Sequence, residues 1–137
     1  MQFKTSLAFV LASSFLPLWP AVAHHSLAVF ARSRSETIEG TVKSFSWSNP
    51  HVQIVLLTAD ADGAMRQWNF EGGSTSRLAT AGFNRNMMAP GDKITVTYNP
   101  RRDGGSGGFI VTITSAAGRK YDSQRNRPPS RGGAEEG

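Results

Sequence analysis

The chain has 137 residues, with 15 Lys and Arg against 10 Asp and Glu, and no Cys. This length suits one domain, and 39% hydrophobic with 18% charged residues is enough apolar content for a modest core. Without cysteine, disulfides, zinc–thiolate sites, iron–sulfur clusters and cysteine nucleophiles are all excluded.

Residues 1–23 have the pattern of a secretory signal peptide. Lys4 supplies a positive charge, residues 6–19 are almost uninterrupted in their apolar character, and an A-x-A cleavage site ends at Ala23. The apolar run is shorter than the roughly 20 residues that a membrane-spanning helix needs. We therefore expect cleavage after Ala23 and export to the periplasm, or secretion, with no transmembrane segment in the mature chain.

Five segments of the remaining chain show the alternation of β-strands, and one shows the pattern of a short helix. Alternating apolar and polar side chains are typical of half-buried strands. Ser74 is a suitable N-cap, and Gly82 suits the C-terminal end of a helix. Gly40 interrupts the first strand, where we expect a bulge or bend. The predicted strands are residues 37–47, 51–58, 65–71, 92–99 and 109–115, with the helix at 75–81.

This β-β-β-α-β-β order predicts an all-β fold with one short helix, a five-stranded OB-like barrel. In that fold the helix lies between the third and fourth strands and plugs the barrel. Closure also removes exposed strand edges, which a short chain must otherwise protect. An open β-sandwich is the alternative. We expect the domain to cover residues 24–118, and residues 119–137, which are rich in Arg, Pro and Gly, to form a disordered basic tail.

Several short motifs resemble, in order along the chain, an exported bacterial family of unknown function. The motifs are Ala23-His24-His25-Ser26, Glu39-Gly40-Thr41-Val42-Lys43, Asn49-Pro50-His51-Val52, Trp68-x-x-Glu71-Gly72-Gly73, Pro90-Gly91-Asp92 and Arg102-Asp103-Gly104. They run from residue 23 to about residue 118. The resemblance implies export and a small OB-like domain. It implies no activity, because the family has no settled one.

The chain contains three histidines, His24, His25 and His51, and two of them follow the predicted cleavage site directly. Cleavage after Ala23 makes His24 the first residue, whose amino group and imidazole Nδ1 can chelate one metal ion. A second imidazole, from His25 or His51, completes a T-shaped set of three nitrogens that suits Cu(II). In local chemistry alone, this set resembles the N-terminal histidine sites of periplasmic copper carriers and copper-dependent polysaccharide monooxygenases.

The sequence therefore predicts a site for copper, or for another divalent transition metal, at the mature N-terminus. The alternative is structural: two histidines on an exposed terminus, and His51 hydrogen-bonded at a turn. Neither interpretation requires any other cofactor.

A metal-free binding module for an envelope protein or small ligand is the second functional hypothesis. OB-like barrels bind ligands on the face of strands two and three, often by stacking on aromatic rings. Trp47 and Trp68 are the candidate stacking residues. Glu71 is the best isolated carboxylate, with Arg77, Arg85 or His51 as its expected partner.

Nucleic acid is disfavoured as a ligand, because export removes the protein from it and the predicted domain is only weakly basic. Ser74, which lies near Glu71, does not stand in a G-x-S-x-G nucleophile elbow. We therefore predict a binding protein rather than an enzyme.

Overall fold

The computed structural model describes residues 27–125, which form six strands and one short helix. All five predicted strands and the predicted helix are confirmed, each with its bounds within two residues of the prediction. The elements are β1 (Glu36–Ser46), β2 (Gln53–Ala59), β3 (Met65–Glu71), α1 (Thr75–Thr80), β4 (Lys93–Pro100), β5 (Gly107–Thr114) and β6 (Lys120–Asp122).

The strands form one sheet in the order β3-β2-β1-β4-β5-β6, and a parallel pairing of β3 with β5 closes the first five into a barrel. All other neighbours are antiparallel. The OB-like barrel is thus confirmed, and the open sandwich is not the fold. The long β1 makes closure possible, because its first half pairs with β4 and its second half with β2.

The bulge in β1 lies between Val42 and Ser44, rather than at Gly40 as the sequence predicted. Gly40 pairs regularly with Ile94. Its missing side chain serves packing instead, because a Cβ there would lie 2.9 Å from the carbonyl oxygen of Leu57.

The inward-facing side chains of the alternating strands fill the barrel, and the helix contributes one buried leucine, Leu78. Burial of these apolar side chains is the main stabilising contribution to such a fold. The largest fully buried side chains are Phe70, Ile54, Leu56, Leu78, Ile110, Ile113, Val42, Val52 and Val96.

The strand β6 lies in the segment that the sequence predicted as part of a disordered tail. It pairs with β5, and the buried ring of Tyr121 packs 5.4 Å from the ring of Phe83. Ser123 donates a hydrogen bond of 2.7 Å to the carbonyl of Ile110. One aromatic residue in three creates no periodicity, so the pattern did not reveal this strand. The rest of the predicted tail, residues 126–137, and the predicted signal peptide lie outside the described residues.

Barrel closure depends on two adjacent glycines at the start of β5. Gly107 has a φ of +129°, and a Cβ there would lie 1.8 Å from the carbonyl oxygen of Asn69. A Cβ on Gly108 would lie 2.1 Å from the carbonyl oxygen of Asn99. The backbones of β3, β4 and β5 can approach this closely only where both side chains are missing.

We predict that Gly107→Ala lowers the free energy of unfolding by more than about 3 kcal/mol, because it combines backbone strain with a direct clash. The matched control is Gly104→Ala in the same loop, where φ is +76° but nothing lies within 4 Å of the added Cβ. The control should lose only about 1 to 2 kcal/mol. Urea denaturation of both variants measures their free energies of unfolding. Equal losses of stability would contradict the conclusion that barrel closure needs a glycine at position 107.

Tyr98 lies in the core near the end of β4, close to Gly108, and its hydroxyl donates a 3.0 Å hydrogen bond to Glu36. Burial first, and then this hydrogen bond, raise the pKa of Tyr98 to about 12. Because the fold favours the protonated phenol, Tyr98 stabilises the protein fully below its unfolded pKa of about 10. That contribution is lost as the pH rises through the folded pKa of about 12.

We predict that the stability advantage of the wild type over Tyr98→Phe shrinks steadily as the pH rises from about 10 towards 12. Urea denaturation of both proteins across this range measures the advantage. Ultraviolet titration should also show that the substitution removes a phenol with a pKa of about 12. A constant stability difference across the range would contradict the assignment.

Candidate functional site

A cleft of about 170 Å³ lies at the end of the barrel where the turn before β2 meets the segment after β3. Its lining mixes an imidazole, two guanidinium groups, backbone and apolar side chains. The lining residues that matter here are His51, Arg32, Arg77, Gly73, Leu27 and Phe109.

Hydrogen bonds beyond the ends of β2 and β3 hold one wall of this cleft. Gly72 donates its backbone N–H to the carbonyl of Val52 at 2.7 Å, and Val52 donates to the carbonyl of Gly73 at 3.1 Å. The two chain segments therefore stay paired past the last residues of the strands. This pairing fixes His51, directly before Val52, beside the two glycines.

The turn before His51 is also tied to the start of α1. The side-chain oxygen of Asn49 accepts hydrogen bonds from both the backbone N–H and the hydroxyl of Thr75, each at 3.0 Å. Ser74 is the N-cap, as predicted, and its hydroxyl accepts from the N–H of Arg77 at 3.4 Å. The helix, and Arg77 on it, are thereby held in place against the turn.

The Nδ1 atom of His51 is hydrogen-bonded to a carboxylate oxygen of Glu71, the last residue of β3. Both side chains are about 30% exposed, so the pair is partly shielded from solvent. With Nδ1–H donating to the carboxylate, a neutral imidazole carries its lone pair on Nε2. Glu71 therefore orients the ring and leaves Nε2 for a ligand. The partner of Glu71 is His51, one of the three that the sequence suggested.

The segment before β1 is anchored beside the same cleft. Phe30 is buried at 2% exposure. Arg102 donates its backbone N–H to the carbonyl of Val29 at 2.8 Å and its side-chain Nε to the carbonyl of Ala28 at 3.0 Å. These contacts bring Leu27, the first described residue, to the wall of the cleft.

The neighbouring arginine on the loop after β4 is neutralised locally. Arg101 forms a two-pronged ion pair with Asp103, with contacts of 2.6 and 3.0 Å. The hydrogen bonds from this guanidinium hold the pKa of Asp103 at about 2, well below its usual range. In contrast, Arg32 and Arg77 make no ion pair with any residue in 27–125. The cleft is therefore positively charged.

Among the predicted metal ligands, His51 lines the cleft, while His24 and His25 lie outside the described residues. Within residues 27–125, no group of three His, Asp or Glu side chains is arranged to hold a metal ion.

The three residues predicted to bind a ligand or partner do not meet in one site. Trp68 is half-buried, donates a 2.9 Å hydrogen bond to Thr58 and lies 6.3 Å from the ring of Tyr98. Trp47 is also half-buried and packs against Phe45 and the core. Glu71 has the opposite strand parity to Trp68, and so faces away from it and towards His51.

Sequence reasoning did not identify Arg32 and Phe109 as site residues. Arg32 lies in an irregular segment without periodicity, and Phe109 reads as a core position of a strand. Only the anchoring of the N-terminal segment and the closure of the barrel bring them to one cleft. No local sequence signal marks either residue.

The fold and this cleft define a small OB-like barrel domain with a positively charged, partly apolar cleft at one end. The chain belongs to a family of unknown function, DUF6152, whose model matches residues 13–110. No curated protein matches the chain. No helix in residues 27–125 is long and apolar enough to cross a membrane.

Among solved structures, the chain is similar to Rim1, a mitochondrial single-stranded DNA binding protein from S. cerevisiae. The two share 12% sequence identity with a TM-score of 0.44, over 60% of this chain and 93% of that chain.

Proposed function

We propose that the protein is an exported periplasmic binding protein that takes up Cu(II), or another divalent transition metal, at the N-terminus of its mature form. Export depends on the signal pattern of residues 1–23, and cleavage after Ala23 frees the amino group of His24. The ligands are this amino group, the imidazole of His24 and the Nε2 atom of His51. His25 is the other candidate for the third nitrogen.

The observation that carries the proposal is the common location of His51 and Leu27 in one cleft. His24 precedes Leu27 by three residues, which span at most about 10 Å when fully extended. We therefore expect the chain before Leu27 to bring His24 to the cleft that His51 lines. Residues 27–125 supply too few ligands for a metal site of their own, which agrees with a site that the N-terminus completes.

The pairing of His51 with Glu71 supports the same assignment. Metal-binding histidines commonly donate their other ring N–H to a carboxylate, which orients the ring and makes it a better ligand. Glu71 is thus a positioning residue for His51.

The proposed role is binding without catalysis. The metal-free alternative, docking on an aromatic face, has less support, because Trp47 and Trp68 pack against the core. Mass spectrometry of the exported protein should find a chain that begins at His24. Titration of this material should show tight uptake of one Cu(II) per chain.

We predict that an alanine placed before His24 weakens copper binding by more than about 100-fold, because it removes the chelate of amino group and imidazole. His51→Ala and Glu71→Gln should each weaken binding about 10- to 100-fold, the usual effect of losing a ligand or its carboxylate partner. The matched control is Glu39→Gln, a change at an exposed carboxylate on β1. Competition titration against a chelator measures all four affinities.

A mature chain that begins at another residue would overturn the proposal, as would copper uptake that the added alanine leaves unchanged. If only His51→Ala and Glu71→Gln have no effect, His25 rather than His51 supplies the third nitrogen.

A further inference from the structure

Two arginines of the cleft carry charge that nothing in residues 27–125 neutralises. The structure contains four ion pairs in this range, and none involves Arg32 or Arg77. The carboxylate of Glu71 is engaged by His51. Two arginines that line one small cavity, and that have no carboxylate partner within residues 27–125, favour an anionic ligand.

The position of Arg77 is prepared by Gly73. The side chain of Arg77 lies back over this glycine, so that a Cβ on Gly73 would lie 3.1 Å from its Cδ atom. The start of α1, which carries Arg77, is itself tied to Asn49. The aliphatic part of the side chain therefore lies over Gly73, and Arg77 lines the cleft beside it.

The rest of the lining includes two apolar side chains, beside His51, Gln124 and the two glycines. Leu27 and Phe109 both face the cleft, and the ring of Phe109 packs 5.6 Å from that of Phe30. The cleft encloses about 170 Å³, and an apolar cavity of about 150 Å³ is large enough to hold benzene. A ligand that matches both parts of the lining has one negative charge and one ring-sized apolar body.

We propose that this cleft binds a small aromatic carboxylate. Its carboxylate accepts hydrogen bonds from the guanidinium groups of Arg32 and Arg77, and its ring lies against Leu27 and Phe109. Planar guanidinium groups match the geometry of a carboxylate, which makes arginine well suited to this role. The inference does not depend on the metal, because neither arginine is a metal ligand.

The test uses the full mature protein in metal-free form, with benzoate as the probe. Isothermal titration calorimetry should show saturable binding, and the amide signals of Gly72 and Gly73 should shift during a parallel NMR titration. Benzyl alcohol, which lacks the charge, and inorganic phosphate, which lacks the ring, should each bind at least about tenfold more weakly.

We predict that Arg32→Gln and Arg77→Gln each weaken benzoate binding by about tenfold, the effect of losing one charge-assisted hydrogen bond. Both side chains are exposed, so neither change should unfold the protein. The matched control is Arg85→Gln, which removes an exposed arginine that does not line the cleft and should leave the affinity unchanged.

Several results would overturn the inference: no saturable benzoate binding, equal binding of benzyl alcohol or phosphate, or an equal loss in Arg85→Gln. The double variant Arg32→Gln with Arg77→Gln should still take up copper at least as tightly as the wild type. If the double variant loses benzoate binding but keeps copper uptake, the two ligands bind to separate groups of residues. Failure of the carboxylate proposal can thus be distinguished from failure of the metal proposal.

Discussion

The close approach of β3 and β5 is the constraint on which the rest of this structure depends. The parallel pairing covers only three residue pairs, of which the last joins Glu71 to Phe109. The same contact that closes the barrel therefore places the carboxylate that holds His51 beside the ring that lines the cleft. Two glycines at the start of β5 are needed for this approach. The shape of the cleft therefore depends on the backbone of residues 100–108 as well as on the residues that line the cleft.

A second constraint acts on the N-terminal segment. Phe30 is buried, and Arg102 holds the backbone directly before it through hydrogen bonds to Ala28 and Val29. These contacts hold the segment before β1 at the cleft. This anchoring gives the Arg102-Asp103-Gly104 motif a physical role: Arg102 fixes the segment, and Asp103 neutralises the adjacent Arg101. The described N-terminal segment, which starts at Leu27, is thus held at the cleft that His51 lines, and Arg32 on the same segment lines this cleft too.

The barrel could be predicted from the sequence because alternation with a period of two is a local signal that every strand from β1 to β5 carries. The helix was equally visible, through Ser74 and Gly82. In contrast, β6 depends on a single buried side chain, Tyr121, and its pairing with β5 is a tertiary contact that no short pattern encodes. The bulge near Val42 escaped prediction for a similar reason, since the point where β1 changes partner is set by the curvature of the whole barrel.

For the candidate site, the sequence identified His51 as a residue with ligand chemistry, but it did not show which residues the fold brings together around it. The rarity of histidine singled out His51, and its position after Asn49-Pro50 placed it at the rim of the barrel. Its pairing with Glu71 was one of three possibilities, because residues 51 and 71 meet only through the register of β2 and β3. Arg32 and Phe109 were not recognisable at all, since each reaches the cleft through contacts distant in sequence.

The two proposed ligands, a divalent cation and a carboxylate, would bring opposite charges into one small cleft, where they would contact different residues. A divalent cation near two uncompensated guanidinium groups is opposed by like-charge repulsion, which is weak in solvent but grows as the site becomes shielded. Glu71 reduces this conflict for His51, because its negative charge lies on the Nδ1 side of the ring. The arginines reach the cleft from other elements, α1 and the segment before β1. A bound carboxylate would further offset their charge. Anion binding would therefore favour metal binding at His51 rather than compete with it, and by linkage the metal would favour the anion to the same extent.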